Sequence, residues 1–137
     1  MTKKEWKGSW IRHNLVLSNR YPLFRKEFKS KKKIKNAYLY STAKGIYHVT
    51  FNGENITEDL FTPGWTDFSK SQLYNCYEIT NLIKNNNCIG IELGDGWYRG
   101  FLAFARRACH YGNVISFLAN IVINYEGGTL DVFINKK

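Results

Sequence analysis

The amino-acid sequence predicts an all-β protein, an antiparallel β-sandwich built as one domain. Short apolar segments with a period of two recur along the chain, and that period is typical of a half-buried strand. Turn signals such as Asn52-Gly53 and Gly127-Gly128 separate these segments. Between them we find no amphipathic stretch of about 10–15 residues, the length of the helices that connect parallel strands. The 137 residues suffice for one core without a disulfide or a metal.

The first half of the chain contains three predicted strands. In the first, Phe24, Lys26 and Phe28 alternate with Arg25 and Glu27, and the second, Ala37–Thr42, places its tyrosines on one face. Ile46–Phe51 is rich in β-branched and aromatic residues and ends at Asn52-Gly53. Because a type I′ turn needs a positive φ at both central residues, this dipeptide predicts an antiparallel hairpin with a short strand near Ile56.

The second half adds four predicted strands and one helical turn. The strands cover Gln72–Glu78, Cys88–Leu93, Val114–Tyr125 and Thr129–Ile134. Thr80–Lys84 offers a capping residue followed by about one turn of helix. Glu126-Gly127-Gly128 predicts a hairpin between the last two strands. We therefore divide the single domain, 1–137, into a leading segment over 1–21 and a sandwich over 22–135.

The segment Leu93–Gly100 has the most informative composition. Three glycines space out one acid, one base and two large aromatic residues. Sites for small ligands combine an apolar surface with a few convergent polar groups, so these side chains could stack on the apolar face of a sugar ring and bind its hydroxyls. The same rings could instead plug the end of a sandwich, with the glycines forming a bulge beneath them. The candidate residues for contact with a sugar or with another domain are Trp65, Asp95, Trp97, Tyr98, Arg99 and Tyr111.

The chain does not contain the residue pattern of an enzyme. A glycosidase needs two carboxylates that face each other across a cleft, whereas Glu92 and Asp95 are near neighbours at one strand end. Cys109 and His110 are adjacent, and successive strand side chains point to opposite faces. We expect no catalytic residue and no certain cofactor here. Calcium prefers oxygen ligands, which makes Asn52 and Asp95 hypothetical calcium ligands.

The net charge of +9 belongs to one end of the chain. Residues 1–36 hold twelve Lys or Arg and two Glu, net +10, and residues 37–137 hold eight against nine, net −1. The densest part, Lys29–Lys35, lies between two predicted strands and is typical of a solvated turn. Binding of nucleic acid or another polyanion is a distant alternative, because neither a reading helix nor a stacking sheet is evident.

Targeting signals and cysteines add two further expectations. The chain has no run of about 18 apolar residues, and its first residues lack the apolar core of a secretory signal. We expect no membrane partner and a cytoplasmic location.

The cysteines at 76, 88 and 109 have no metal-ligand spacing and cannot all pair, so we expect reduced and mostly buried thiols.

Six motifs, taken in order, resemble the amino-terminal region of bacterial alpha-L-rhamnosidases. They are Pro22–Phe28, Tyr47–Gly53, Phe61–Asp67, Tyr77–Ile83, Leu93–Gly100 and Tyr111-Gly112. The similarity extends from about Trp10 to Ile134. The Pro-Gly-Trp-Thr and Gly-Asp-Gly-Trp-Tyr blocks, in this order and at this separation, are specific to the family, whereas the Tyr77–Ile83 block also occurs in other galactose-binding-like sandwiches.

The resemblance implies a jelly-roll or galactose-binding-like sandwich that precedes a large (α/α)6-barrel catalytic domain. That barrel hydrolyses terminal alpha-L-rhamnosides with inversion and carries the catalytic carboxylates, so it would lie outside these residues. Our main interpretation is a non-catalytic structural module whose aromatic loop packs on the catalytic and other domains of a parent enzyme. An exposed apolar patch would also favour self-association. The alternative is a carbohydrate-binding module, since some related sandwich domains bind L-rhamnose through calcium.

Overall fold

The computed structural model describes residues 6–13, 21–30, 33–102, 107–128 and 130–134. These residues form ten strands, a short 3₁₀ helix at Thr80–Leu82 and one α-helical turn. In chain order, the elements are β1 (Leu23–Lys29), β2 (Ile34–Lys44), β3 (Ile46–Phe51), β4 (Glu54–Asn55), β5 (Asn75–Glu78), β6 (Asn86–Gly94), α1 (Gly96–Arg99), β7 (Phe101–Leu102), β8 (Arg107–Ala108), β9 (Ser116–Tyr125) and β10 (Leu130–Ile134). Among the described residues, no helix is long and apolar enough to cross a membrane.

Two four-stranded antiparallel sheets make up the sandwich. Their strand orders are β1-β6-β3-β4 and β10-β9-β2-β5. The longest pairing joins β2 to β9, from Ile34 opposite Tyr125 to Lys44 opposite Ser116. Strands β7 and β8 form a separate two-stranded ribbon after α1. From the leading segment, Ile11 joins the fold through paired backbone hydrogen bonds of 2.8 and 2.9 Å with Phe117.

The core lies between the two sheets and follows the alternation of the strands. In β3, Tyr47, Val49 and Phe51 are buried while His48 is exposed. Across the sandwich, the Tyr47 ring meets the Phe117 ring of β9 edge-on, with centroids 5.3 Å apart. Burial of each large apolar side chain contributes about 1.5–3 kcal/mol, so this face of β3 contributes much of the stability of its sheet.

A buried hydroxyl also connects the sheets. The Tyr47 hydroxyl donates to Asn75 Oδ1 at 3.0 Å and lies 2.8 Å from Ser41 Oγ. Burial raises the pKa of Tyr47, since the phenolate would lose its hydration, and the hydrogen bond from Ser41 opposes that shift. The neutral hydroxyl is therefore the form that this core accepts.

The hairpin predicted from Asn52-Gly53 is confirmed. Ile46–Phe51 is a strand with the predicted bounds, and its partner β4 places Thr50 opposite Asn55. The φ angles of Asn52 and Gly53 are 52° and 86°, as a type I′ turn requires. The helical turn predicted after Thr80 is present at Thr80–Leu82 as a 3₁₀ helix.

Three predictions were wrong in part. The predicted strand over Gln72–Glu78 begins only at Asn75, because the Gln72 side chain donates to the Ala43 carbonyl at 2.9 Å instead of its backbone joining the sheet. The thiols are not mostly buried: Cys76 and Cys109 are exposed. The former points outwards from edge strand β5, and the latter lies in a turn with a φ of 58°.

The third error concerns the segment Leu93–Gly100, where residues predicted to form a loop or bulge make the helical turn α1. Of the lysine-rich turn, residues 31–32 lie outside the described residues, as does residue 129 at the predicted start of the last strand.

Candidate functional site

The helical turn α1 decides where the aromatic side chains of the glycine-rich segment point. Gly96 has a φ of 49°, and a Cβ there would lie 2.6 Å from Ile46 Cγ2, so the turn passes against β3 only with glycine at this position. Backbone hydrogen bonds from Arg99 to Asp95 and from Gly100 to Gly96 close the turn. Successive helical side chains point about 100° apart. Trp97 and Tyr98 therefore point to different neighbours.

Trp97 joins a tryptophan cluster made of Phe61, Trp65 and Trp97. The Trp65 and Trp97 rings stack with centroids 6.3 Å apart and planes inclined by 25°. The Phe61 ring meets Trp97 edge-on at 6.0 Å. Phe61 and Trp65 are 60% and 58% exposed, and Leu60, which precedes Phe61, is also exposed. The cluster therefore presents large apolar rings to its surroundings.

Tyr98 joins a separate tyrosine cluster made of Phe68, Tyr98 and Tyr111. Phe68 meets Tyr98 at 5.3 Å and Tyr111 at 5.1 Å, both edge-on, and the two tyrosine rings stack at 6.4 Å. A Cβ on Gly112 would lie 2.6 Å from the Tyr98 hydroxyl oxygen. Burial raises the pKa of Tyr98. Beside the cluster lies an open cavity of about 350 Å³ that Lys44, Asp67 and His110 also line.

The acid and the base of the glycine-rich segment bind each other. Arg99 Nε donates to Asp95 Oδ1 across one helical turn. The side chains are 11% exposed for Arg99 and 30% for Asp95. Arg99 Nη2 is buried and has no hydrogen-bond partner among the described residues. The two charged groups thus bind each other within the domain.

The two hypothetical calcium ligands do not meet. Asn52 and Asp95 lie beyond opposite ends of β3, in which Ile46 pairs with Gly94 and Phe51 with Ile89. At about 3.3 Å per residue, they are roughly 20 Å apart. The Asn52 side chain is occupied as well, since it bonds to the Leu82 carbonyl at 2.7 Å and to the Cys88 N–H at 2.8 Å.

No group of three or more His, Cys, Asp or Glu side chains that could hold a metal occurs in the part of the chain that the structure describes. Because Asn52 and Asp95 are roughly 20 Å apart, they cannot coordinate one ion together, and each has a structural partner instead.

The six candidate residues divide into three groups. Trp65 and Trp97 meet in one cluster, Tyr98 and Tyr111 in another, and Asp95 pairs with Arg99. Sequence reasoning missed Phe61 and Phe68, which complete the two clusters. Both flank the Pro63–Asp67 turn, so their proximity to Trp65 along the chain is the signal that could have identified them.

Comparisons with known proteins agree with this architecture. Residues 32–136 match the family model described as the alpha-L-rhamnosidase N-terminal domain. An alpha-L-rhamnosidase of Alteromonas sp. is 35% identical over 136 residues, which cover 91% of this chain and 15% of that protein. One from Streptomyces avermitilis is 34% identical over 124 residues, or 89% of this chain and 12% of that protein. The chain thus spans 15% or less of the length of these relatives.

Solved structures give the same result. The native alpha-L-rhamnosidase of Aspergillus terreus superposes with a TM-score of 0.91 at 28% identity, covering 97% of this chain and 16% of that one. A Pleurotus ostreatus lectin shares the fold with a TM-score of 0.65 at 18% identity, over 96% of this chain and 33% of the lectin. The predicted antiparallel β-sandwich is confirmed, and the chain belongs to the alpha-L-rhamnosidase N-terminal domain family.

Proposed function

We propose that this domain is a non-catalytic module of an alpha-L-rhamnosidase and that its tryptophan cluster packs against another domain of that enzyme. The observation that carries the proposal is the exposure of Phe61 and Trp65, each more than half accessible beside Trp97. Contiguous exposed aromatic surface on a small domain marks an interaction site. The chain corresponds to only 15% of its Alteromonas relative, so such a protein has ample further surface to cover this patch.

The polar groups near the cluster favour a domain interface over a sugar site. A sugar site needs donors and acceptors that are free to bind hydroxyls beside an apolar platform. Asp95 and Arg99 bind each other instead, and Arg99 is only 11% exposed. Large exposed apolar rings suit the desolvated centre of an interface.

The carboxylates of the segment support a non-catalytic role. Glu92 lies on the exposed face of β6, opposite Leu23 and His48 in the neighbouring strands. Asp95 is held by Arg99. The two do not form the facing pair that glycoside hydrolysis requires. Hydrolysis by a parent enzyme would therefore use carboxylates of another domain.

A binding experiment tests the interface. The chain, labelled with ¹⁵N, would be titrated with the Alteromonas alpha-L-rhamnosidase produced without the 136 residues that align with it. We expect the indole N–H signals of Trp65 and Trp97 to shift, and Trp65→Ser to weaken binding about tenfold or more, as loss of a central aromatic contact does. Tyr21→Ser is the matched control, because Tyr21 is equally exposed, at 60%, outside the cluster.

The same sample tests the alternative function, calcium-dependent binding of L-rhamnose. Millimolar L-rhamnose, with calcium and then with chelator, should leave both indole signals in place. A calcium-dependent shift that Trp97→Ala abolishes would replace the interface proposal with the carbohydrate-binding one. Sedimentation of the chain alone measures its self-association. We expect Trp65→Ser to reduce any self-association through the exposed patch and Tyr21→Ser to leave it unchanged.

A further inference from the structure

Two cavities of the domain meet at one lysine. The cavity of about 350 Å³ beside the tyrosine cluster adjoins a larger one of about 600 Å³ between the Trp6–Trp10 segment and the Ser69–Tyr74 turn. Lys44, Phe68 and Ser69 line both cavities. We call these two adjoining cavities together the Lys44 groove, and none of the tryptophan-cluster residues lines either of them. Its size is in the range of sites that hold small organic ligands.

Lys44 differs from the other lysines of the domain. It ends β2 and is half-buried, whereas every other lysine in the described ranges is exposed. Its Nζ lies 5.2 Å from the centre of the Trp10 ring, and within the described part of the chain it has no carboxylate partner. Lys33 and Lys70, by contrast, pair with Glu126 at 2.9 Å and Asp67 at 3.1 Å. Lys44 Nζ is therefore available to an anion beside its contact with the Trp10 ring.

The walls of the groove are aromatic rings with polar groups at their edges. Trp6 meets Tyr74 edge-on at 5.9 Å in the larger cavity, and Tyr98 stacks on Tyr111 in the smaller one. Asp67 lies on the rim, where hydrogen bonds from Ser69 lower its pKa and Lys70 pairs with it at 3.1 Å. Ring faces with nearby donors and acceptors suit a ligand that has flat apolar faces and many hydroxyls.

We propose that the Lys44 groove binds an acidic oligosaccharide, with the carboxylate of a uronic acid unit on Lys44 Nζ and neighbouring sugar rings against the aromatic walls. Lys44, which has no carboxylate partner among the described residues, matches one carboxylate of a ligand. A nucleic acid would need several cations for its phosphates, and Lys70 is committed to Asp67. An extended peptide would need an open strand edge for its backbone, whereas side chains line this groove.

Calorimetric titration of the 137-residue chain with trigalacturonic acid tests the proposal, with maltotriose as the neutral trisaccharide of the same length. We expect trigalacturonic acid to bind and maltotriose to bind at least about tenfold more weakly, since hydrogen bonds to charged groups are the strong ones. Lys44→Gln should weaken the binding of trigalacturonic acid to the same degree, and Lys44→Arg should retain that binding. Lys84→Gln, which removes the same charge at an exposed lysine outside the groove, should change nothing.

Four results would overturn the proposal. They are absence of binding at millimolar trigalacturonic acid, equal affinity for maltotriose, unchanged affinity in Lys44→Gln, and tighter binding of a hexaglutamate peptide, which would identify a peptide site. If Lys44→Gln fails to fold by circular dichroism, the two trisaccharides and the peptide still decide the question on the unmodified chain.

Discussion

Replacing Asn52 by glycine is expected to destabilise the fold by about 2–3 kcal/mol and to do so independently of calcium. Glycine keeps the φ of 52° that the turn needs but removes three hydrogen bonds. Asn52 Nδ2 donates to the Leu82 carbonyl at 2.7 Å and to Asn87 Oδ1 at 3.2 Å, and Asn52 Oδ1 accepts from the Cys88 N–H at 2.8 Å. At about 1 kcal/mol for each hydrogen bond, the loss of three bonds accounts for the expected decrease of about 2–3 kcal/mol in the free energy of unfolding.

Gly53→Ala is the matched control for the backbone of the same turn. Gly53 has a φ of 86°, and a Cβ there meets nothing within 4 Å, so only conformational strain of about 1–2 kcal/mol should appear. Urea unfolding followed by tryptophan fluorescence gives the free energy of unfolding of each variant. The melting temperature is measured in calcium and in chelator.

Two outcomes would refute this reasoning about Asn52. A free energy of unfolding within about 0.5 kcal/mol of the original chain, the range of an ordinary surface substitution, would mean that the three hydrogen bonds contribute nothing net. A melting temperature that calcium raises in the original chain, but not in Asn52→Gly, would mean that Asn52 is a metal ligand after all.

Two more variants test the polar contacts of the fold by urea unfolding. Asp95→Asn should lower the free energy of unfolding by about 2–3 kcal/mol, because it removes the charged partner of the nearly buried Arg99. Adding Arg99→Met should recover most of that loss. An Asp95→Asn variant as stable as the original chain would show that solvent already screens the pair. Tyr47→Phe should lose about 1–2 kcal/mol by orphaning the buried Ser41 hydroxyl. Burial raises the pKa of Tyr47 in the fold, so the Tyr47 hydroxyl stabilises the fold fully below about pH 10 and progressively less as the pH rises further. If the free energy of unfolding fell equally steeply with pH in Tyr47→Phe and in the original chain, this reasoning would be wrong.

The parts of the fold that could be predicted depend on local chemistry. The bounds of Ile46–Phe51 follow from its side-chain alternation and from the turn residues after it, and both signals lie within a few residues. The composition of the glycine-rich segment likewise singled out Trp97 and Tyr98, and the structure places each of them in an aromatic cluster. Their grouping could not be predicted, because it depends on α1, and α1 depends on the contact of Gly96 with Ile46 about fifty residues earlier in the chain.

The contacts of α1 join two of the sequence blocks that carry the resemblance to the family. Trp97 packs on Phe61 and Trp65 while Tyr98 packs on Phe68, so α1 holds the Phe61–Phe68 turn at two points. A strand would also send neighbouring side chains apart, but to opposite faces of a sheet. The helical turn instead places them about 100° apart, against two parts of the same turn. The Gly-Asp-Gly-Trp-Tyr and Pro-Gly-Trp-Thr blocks are therefore two halves of one packed unit, which lies between the exposed tryptophan cluster and the Lys44 groove.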